Sequence, residues 1–210
     1  KDVKVTGFYA KPTNQGKAVQ EYGTKFMKTE LEYDNVYGAK VDAKFGVVAA
    51  TAGYTVFQDA TSKAYNYVDA KKDYVLSGSA DLDDNKIWNV GVAFDLAKDL
   101  NLSANYMKSS EEYVTKDDDA IVVGLSYAGA KAAKEGSFGI YANYYDQARS
   151  TVVAHTMNGE YGTHGFKGYM VGANYTFAKN IVGAVEYYDL EDKLDDSDMK
   201  TLWSQVVFTF

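Results

Sequence analysis

The chain has 210 residues, a formal net charge of −7 and no cysteine. The lack of cysteine excludes disulfide scaffolds and cysteine-based metal sites. The negative charge argues against nucleic acid as a partner, because a phosphate backbone needs a basic surface. Aromatic residues make up 15% of the chain, yet its mean hydropathy is −0.35. Bulky groups are therefore interleaved with polar ones, and no apolar run approaches the roughly 20 residues that a membrane-spanning helix requires.

Strand-like alternation of apolar and polar residues begins close to the first residue. The strands predicted in the first half are residues 3–10, 25–45 and 48–56. Residues 11–23, which hold the single proline, are predicted to form a loop, and residues 59–86 a long polar loop. Tyr74–Ser79 also alternates, and we interpret it as part of that second, extracellular loop because an added wall strand would break the even count of a bacterial barrel.

The second half of the chain has a more regular rhythm. Its predicted strands are residues 88–95, 100–107, 121–127, 138–145, 169–177, 181–190 and 200–210, which brings the total to about ten. Short turns alternate with long loops, as in membrane barrels with tight periplasmic turns and extended extracellular loops. The turns lie near Gly46, Lys98, Lys131 and Lys179. One strand–turn–strand unit, residues 90–100, recurs as residues 171–181, and a reused hairpin is how a meander barrel grows.

Aromatic residues recur at the ends of the apolar faces, whereas Val, Ile, Leu, Ala and Gly occupy the middles. Rings at both ends of an apolar band are the interfacial girdles of membrane barrels. The predicted interfacial aromatics are Tyr54, Trp88, Phe94, Tyr106, Tyr127, Phe138, Tyr144, Tyr169, Phe177, Tyr187 and Phe210. The sequence therefore predicts an all-β fold, a transmembrane antiparallel up-and-down β-barrel, with a soluble β-sandwich as the alternative.

Several blocks of the C-terminal part match a known family. They are His164-Gly-Phe-Lys-Gly-Tyr-Met-Val-Gly-Ala-Asn-Tyr, Ala178-Lys-Asn-Ile-Val, Val185-Glu-Tyr-Tyr-Asp-Leu and Lys200-Thr-Leu-Trp-x-x-Val-x-Phe-Thr-Phe, together with Lys86-Ile-Trp-Asn-Val-Gly. With these blocks, and with its preference for Lys over Arg, the chain resembles the S-layer-homology-domain porins, abundant outer-membrane proteins of diderm Firmicutes (Negativicutes). The resemblance is strongest over residues 86–210.

The resemblance implies a location in the cell outer membrane as a multi-pass β-barrel in contact with membrane lipid. Members of the family join an N-terminal peptidoglycan-binding domain and a coiled-coil stalk to a porin barrel of sixteen strands, which forms a homotrimer. Nothing in these 210 residues resembles the S-layer-homology domain or the stalk. We therefore interpret residues 1–210 as a single outer-membrane β-barrel domain, either part of a sixteen-stranded barrel or a related small barrel.

The polar faces of the predicted strands would line a lumen. We predict a porin that passes ions and small hydrophilic solutes passively and needs no cofactor. The alternative is a structural or adhesive barrel whose lumen is closed by its own side chains. The predicted pore-lining residues are Lys4, Lys40, Asp42, Lys44, Asn89, Asp95, Asn101, Asn105, Asn143, Asn174, Glu186 and Gln205.

The sequence predicts neither a catalytic nor a metal site. His155 and His164 are its only histidines, and both lie in one loop with Glu160 between them. Their spacing matches no compact zinc motif, and no Gly-x-Ser-x-Gly elbow occurs. The acidic runs at residues 117–119 and 192–198 lack the spacing of an EF-hand. We interpret these runs as solvated loops and expect the protein not to be an enzyme.

Overall fold

The computed structural model describes residues 2–12, 17–22, 25–68, 73–112, 116–151, 157–159 and 164–209. They form the strands β1 (Asp2–Ala10), β2 (Lys17–Tyr22), β3 (Lys25–Glu32), β4 (Asn35–Phe45), β5 (Val48–Gln58), β6 (Ala60–Val68), β7 (Asp73–Leu82), β8 (Asn85–Ala97), β9 (Leu100–Ser109), β10 (Asp119–Ala128), β11 (Phe138–Ala148), β12 (Gly165–Ala178), β13 (Ile181–Asp192) and β14 (Asp198–Phe208). A short 3₁₀ helix, η1 (Arg149–Thr151), follows β11. No helix among these residues is long and apolar enough to cross a membrane.

Ten strands form one antiparallel up-and-down sheet in the order β1-β4-β5-β8-β9-β10-β11-β12-β13-β14. The predicted all-β fold, an antiparallel up-and-down arrangement, is confirmed, and so is the count of ten wall strands. Apart from two places where a hairpin is inserted, each strand pairs with the next in the chain. β1 and β14 are the outermost strands, and no ladder joins them within the part of the chain that the structure describes.

The inserted hairpins form a second, four-stranded sheet in the order β2-β3-β6-β7. β2 and β3 lie between β1 and β4 in the chain, and β6 and β7 lie between β5 and β8, so the prediction of loops at residues 11–23 and 59–86 is wrong in detail. The prediction failed because β3 and β6 extend the β4–β5 hairpin beyond a break in the two strands. At the break the Asp34 N–H donates to the Gln58 carbonyl (3.0 Å), and Asp59 adopts a φ of 55°. Tyr74–Ser79 lies in β7, outside the wall, as expected.

Alternation gives the ten-stranded sheet two distinct faces, because cross-strand partners point to the same side. We call the face that carries Lys40 and Asp42 the polar face, and the face that carries Trp88 and Val90 the apolar face. One row of partners crosses the polar face of the whole sheet: Lys4, Asp42, Thr51, Gly91, Asn105, Val122, Tyr145, Gly168, Leu190 and Met199. The row begins near the first residue of β1 and finishes near the first residue of β14, which lie at opposite ends of the sheet. This stagger is the one that tilted barrel strands require.

Three of the tight turns predicted from the sequence depend on a residue with left-handed backbone. Gly46, Asp99 and Asn180 have φ values of 62°, 63° and 67°. The two copies of the repeated hairpin also share a bulge, at Asp95/Ala97 and at Thr176/Ala178. The repeat in the sequence is therefore a repeat of one backbone geometry, a bulge followed by a turn that sets the register of the next strand.

The buried apolar cluster lies on the polar face, at the end of the sheet opposite these turns. Its members are Tyr145, Phe166, Met170, Tyr188, Leu190 and Met199. We call this the acidic end, because the Asp- and Glu-rich connections lie there, and the other the turn end. Burial is therefore concentrated under one rim of the sheet, whereas the apolar face remains exposed along its length.

We predict that Asn180→Val destabilises the protein by about 1–2 kcal/mol, because a β-branched side chain is strained at positive φ, and that Asn180→Gly changes stability by less than about 0.5 kcal/mol. Lys179→Val is the matched control, since Lys179 is not among the residues with positive φ. Urea unfolding of protein refolded into lipid vesicles measures the difference. Equal losses for the two valine variants would contradict this account of the turn.

Candidate functional site: the polar face of the sheet

The structure brings all the predicted pore-lining residues onto the polar face. In the register, Lys4 pairs with Asp42, and Asp95 pairs with Asn101. The other predicted residues lie an even number of positions from a residue of the same strand that is already on the polar face, so their side chains point to that face too. The set from Lys4 to Gln205 spans every strand of the sheet except β5 and β10. The fold therefore places all of the predicted pore-lining residues on one face of the sheet.

The predicted interfacial aromatics lie on the opposite, apolar face, apart from Phe210, which is outside the described residues. Tyr54 pairs with Trp88 in the register, and Tyr144 pairs with Tyr169. Most of them are exposed, with 47% for Tyr54 and 57% for Phe177, whereas Tyr106 and Tyr187 are half-buried. Exposed rings and aliphatic chains over a whole sheet face are far more than a soluble monomer usually shows, and they mark an interaction with lipid or protein.

Four asparagines on the polar face each lie over a glycine of the adjacent strand. A Cβ atom built on Gly91 would lie 2.1 Å from Asn105 Oδ1, and one on Gly53 would lie 2.5 Å from Asn89 Oδ1. The pairs are Asn89 on Gly53, Asn105 on Gly91, Asn143 on Gly124 and Asn174 on Gly139. Glycine is required at these positions because the asparagine amide approaches the backbone so closely that a Cβ atom would clash with it. Each amide can therefore lie against the backbone of the neighbouring strand. The sequence shows these glycines, but only the register shows their partners.

Ion pairs and hydrogen bonds from neutral side chains hold the charged residues of β4 and β8 in place. Asp42 is 3.1 Å from Lys40 Nζ and accepts a hydrogen bond from the Thr51 hydroxyl (2.9 Å). Asp95 is 3.7 Å from Lys44 Nζ and accepts from the Asn101 amide (3.0 Å). Both carboxylates are therefore flanked by one ammonium group and one neutral donor, so this part of the polar face is mixed in charge.

Two described parts of the connection after β11, residues 149–151 and 157–159, contact the polar face at the acidic end. At η1 the Ser150 carbonyl accepts from the side chain of the fully buried Asn85 on β8 (2.7 Å). Farther along, the Asn158 amide donates to the Glu186 carboxylate on β13 (2.9 Å). Glu186 also accepts from the hydroxyls of Tyr141 (2.8 Å) and Tyr188. The carboxylate predicted to face the lumen is thus covered by protein donors.

A second segment, residues 129–137, covers the polar face of β11 and β12 at the turn end. The Ala130 N–H donates to Asn174 Oδ1 (2.7 Å), and a Cβ on Gly139 would lie 2.6 Å from the Gly129 Cα. The fully buried Thr176 donates to the Lys131 carbonyl (3.1 Å). The turn that the sequence predicts near Lys131 is therefore a folded segment that packs on the polar face.

Lys193 ties the connections of the acidic end together. Its ammonium group lies 2.8 Å from Asp117 and 2.7 Å from Asp146. Burial acts to lower the pKa of Lys193, but the hydrogen bonds and charges of the two carboxylates outweigh it and raise the pKa above its ordinary value. The connection between β13 and β14 is consequently fixed to the one before β10 and to β11 itself.

One of the two histidines also has a carboxylate partner. His164 Nδ1 lies 3.2 Å from both oxygens of Asp192, which is 3% exposed and also accepts from the Leu194 N–H (2.9 Å). His155 and Glu160 lie outside the described residues. The pair joins the start of β12 to the end of β13. Within the described ranges no group of three His, Asp or Glu residues could hold a metal ion.

Comparison with known proteins gives little beyond this geometry. No family model matches the chain, and no curated protein matches it. Among solved structures, the outer-membrane expressed OmpT of Vibrio cholerae is similar at 18% identity and a TM-score of 0.39, over 91% of this chain and 61% of that one. This chain therefore spans less than two thirds of the length of that protein.

We predict that Gly172→Ala destabilises the protein by about 1–3 kcal/mol, because overpacking displaces neighbouring groups. A Cβ there would lie 2.5 Å from the ring of Tyr141, whose hydroxyl holds Glu186. Gly78→Ala on β7 is the control, since nothing lies within 4 Å of its Cβ position. Urea unfolding in lipid vesicles compares the two, and a similar loss of stability for both would refute the predicted clash.

We predict that Lys193→Met lowers the stability by about 1 kcal/mol, since its partner carboxylates stay partly solvated. The raised pKa of Lys193 means that its ion pairs contribute fully below the ordinary lysine value of 10.5 and are lost as the pH rises through the higher folded value. The stability difference from wild type should thus be constant from neutral pH to 10.5 and shrink only above it. Lys98→Met, at an exposed turn, is the control and should lower the stability by less than Lys193→Met does.

Proposed function

We propose that this chain forms the wall, or part of the wall, of an outer-membrane porin that passes ions and small hydrophilic solutes by passive diffusion. The observation that carries the proposal is the two-faced sheet. Its exposed face is apolar and bears aromatic rings toward its ends, as expected of a surface in contact with lipid. Its other face bears amides and mixed charges, as expected of a wall in contact with water.

The architecture is also consistent with the resemblance to the S-layer-homology-domain porins. An antiparallel meander of ten strands with tight turns at one end and inserted hairpins at the other has the form of a porin wall. We propose membership of that family, location in the outer membrane and assembly as a homotrimer on the strength of the matching sequence blocks.

A second candidate is a structural or adhesive barrel with a closed lumen. It is favoured by the two segments that pack on the polar face, at η1 and Asn158 and at residues 129–137. In such a protein the lumen would be filled by its own chain, as in narrow barrels. The difference between the two candidates is whether water and solutes traverse the folded protein.

Recording in planar lipid bilayers tests the proposal. We expect purified full-length protein to give discrete conductance steps of uniform size that scale with salt concentration. Liposome swelling with small sugars is the parallel measurement. Normal insertion without steps or swelling would establish the closed barrel instead, and a stable monomer in the absence of detergent would contradict both membrane readings.

A further inference from the structure

The polar face changes character halfway across the sheet. Along the row of partners from Lys4 to Met199, the residues on β1, β4, β5, β8 and β9 are polar or small, whereas from Val122 onward they include Tyr145, Leu190 and Met199. We call the polar faces of β1, β4, β5, β8 and β9 the open half, and those of β10 to β13 the covered half; the outermost strand β14 is assigned to neither. The two halves also differ in how much of them is covered. On the open half η1 lies only over the acidic ends of β8 and β9, where the Ser150 carbonyl accepts from Asn85, whereas the covered half carries protein at both ends.

The open half holds a concavity of about 600 Å³. The polar-face residues around it include Lys4, Asp42, Lys44, Thr51, Ser103 and Asn105. Opposite charges face each other across strands there, since Lys4 pairs with Asp42 and Asp2 with Lys44 in the register. A path along this wall therefore offers small ions of either sign an opposite charge and offers neutral solutes amides and hydroxyls.

The covered half is packed with protein at both ends. At the acidic end Asn158 rests on Glu186 and Tyr188, above the buried cluster of Tyr145 and Leu190. At the turn end, residues 129–137 lie on β11 and β12, and Asn174 is occupied by a backbone N–H. A solute that followed this half would have to displace both segments and their hydrogen bonds, each worth about 1 kcal/mol or more.

We propose that solutes pass along the open half only, and that Asn174 and Glu186 have no contact with them. The inference rests on the proposed porin function and makes it more specific. Two polar residues of the same type then differ in role. Asn105 is part of the path and Asn174 is part of the packing, although each lies over a glycine of a neighbouring strand.

The chain offers a clean test because it has no cysteine. Single-cysteine variants Asn105→Cys and Asn174→Cys are matched, since both replace an asparagine that lies over a glycine. A cationic and an anionic methanethiosulfonate reagent are applied in turn during bilayer recording of the full-length protein. We expect each reagent to cause a lasting loss of conductance with Asn105→Cys and none with Asn174→Cys. Ser103→Cys, a nearly isosteric change, serves if Asn105→Cys folds poorly.

Labelling of the same variants in lipid vesicles, read by intact mass, makes the test independent of conduction. Fast labelling of Asn105→Cys with protection of Asn174→Cys supports the open half as the water-filled side. Equal labelling and equal loss of conductance at both positions, or reaction at Asn174→Cys alone, would overturn the proposal. Absence of conductance steps in the wild type contradicts the porin function separately, and is seen before any reagent is added.

Discussion

The structure depends on one constraint: the backbone ladders keep the alternation of side chains in phase across ten strands. Because the phase is kept, every predicted lysine and asparagine of the lumen falls on one face and the rings fall on the other. The bulges and left-handed turn residues serve this constraint, since a turn that ended one residue early would reverse the faces of the following strand. Packing plays a smaller part, and the buried cluster occupies only one end of the sheet.

The same ladders leave two strands with a free side. β1 and β14 are the outermost strands of the described sheet, and among the described residues each has a ladder along one edge only. In hydrocarbon an unpaired backbone group costs several kcal/mol, so only closed sheets are found there. Under the proposed membrane location these edges must be joined, either to each other or to further strands. The stagger of the row from Lys4 to Met199 already has the sense that closure requires.

The wall could be predicted from the sequence because its signals are local: alternation within a strand, a turn residue, a repeated hairpin. The second sheet was missed because the ladder that joins its two hairpins, β3 with β6, links segments that are distant in the chain. Among the described residues, β2 and β7 each pair only with their hairpin neighbour. The acidic stretch at Glu191–Met199 was interpreted as a loop, yet Glu191 pairs with Asp198 and extends the ladder. The covering of Glu186 by Asn158, and of Asn174 by Ala130, depends on contacts between non-adjacent segments, for which no periodicity exists.

The left-handed turn at Asn180 has a consequence for biogenesis. If β13 started one residue out of place, Glu186 would be turned to the apolar face and Val185 to the polar face, and β14 would follow. In the proposed porin these faces meet the bilayer and the lumen. A Lys or Arg side chain near the bilayer midplane costs about 2–4 kcal/mol on the lipid face, and a Glu side chain costs less but is still unfavourable. A mispaired hairpin would therefore resist insertion rather than persist in the membrane. Under the proposed membrane location, the turn residues and the alternation together would act as a proofreading device, because the membrane would reject the wrong register before the sheet is complete.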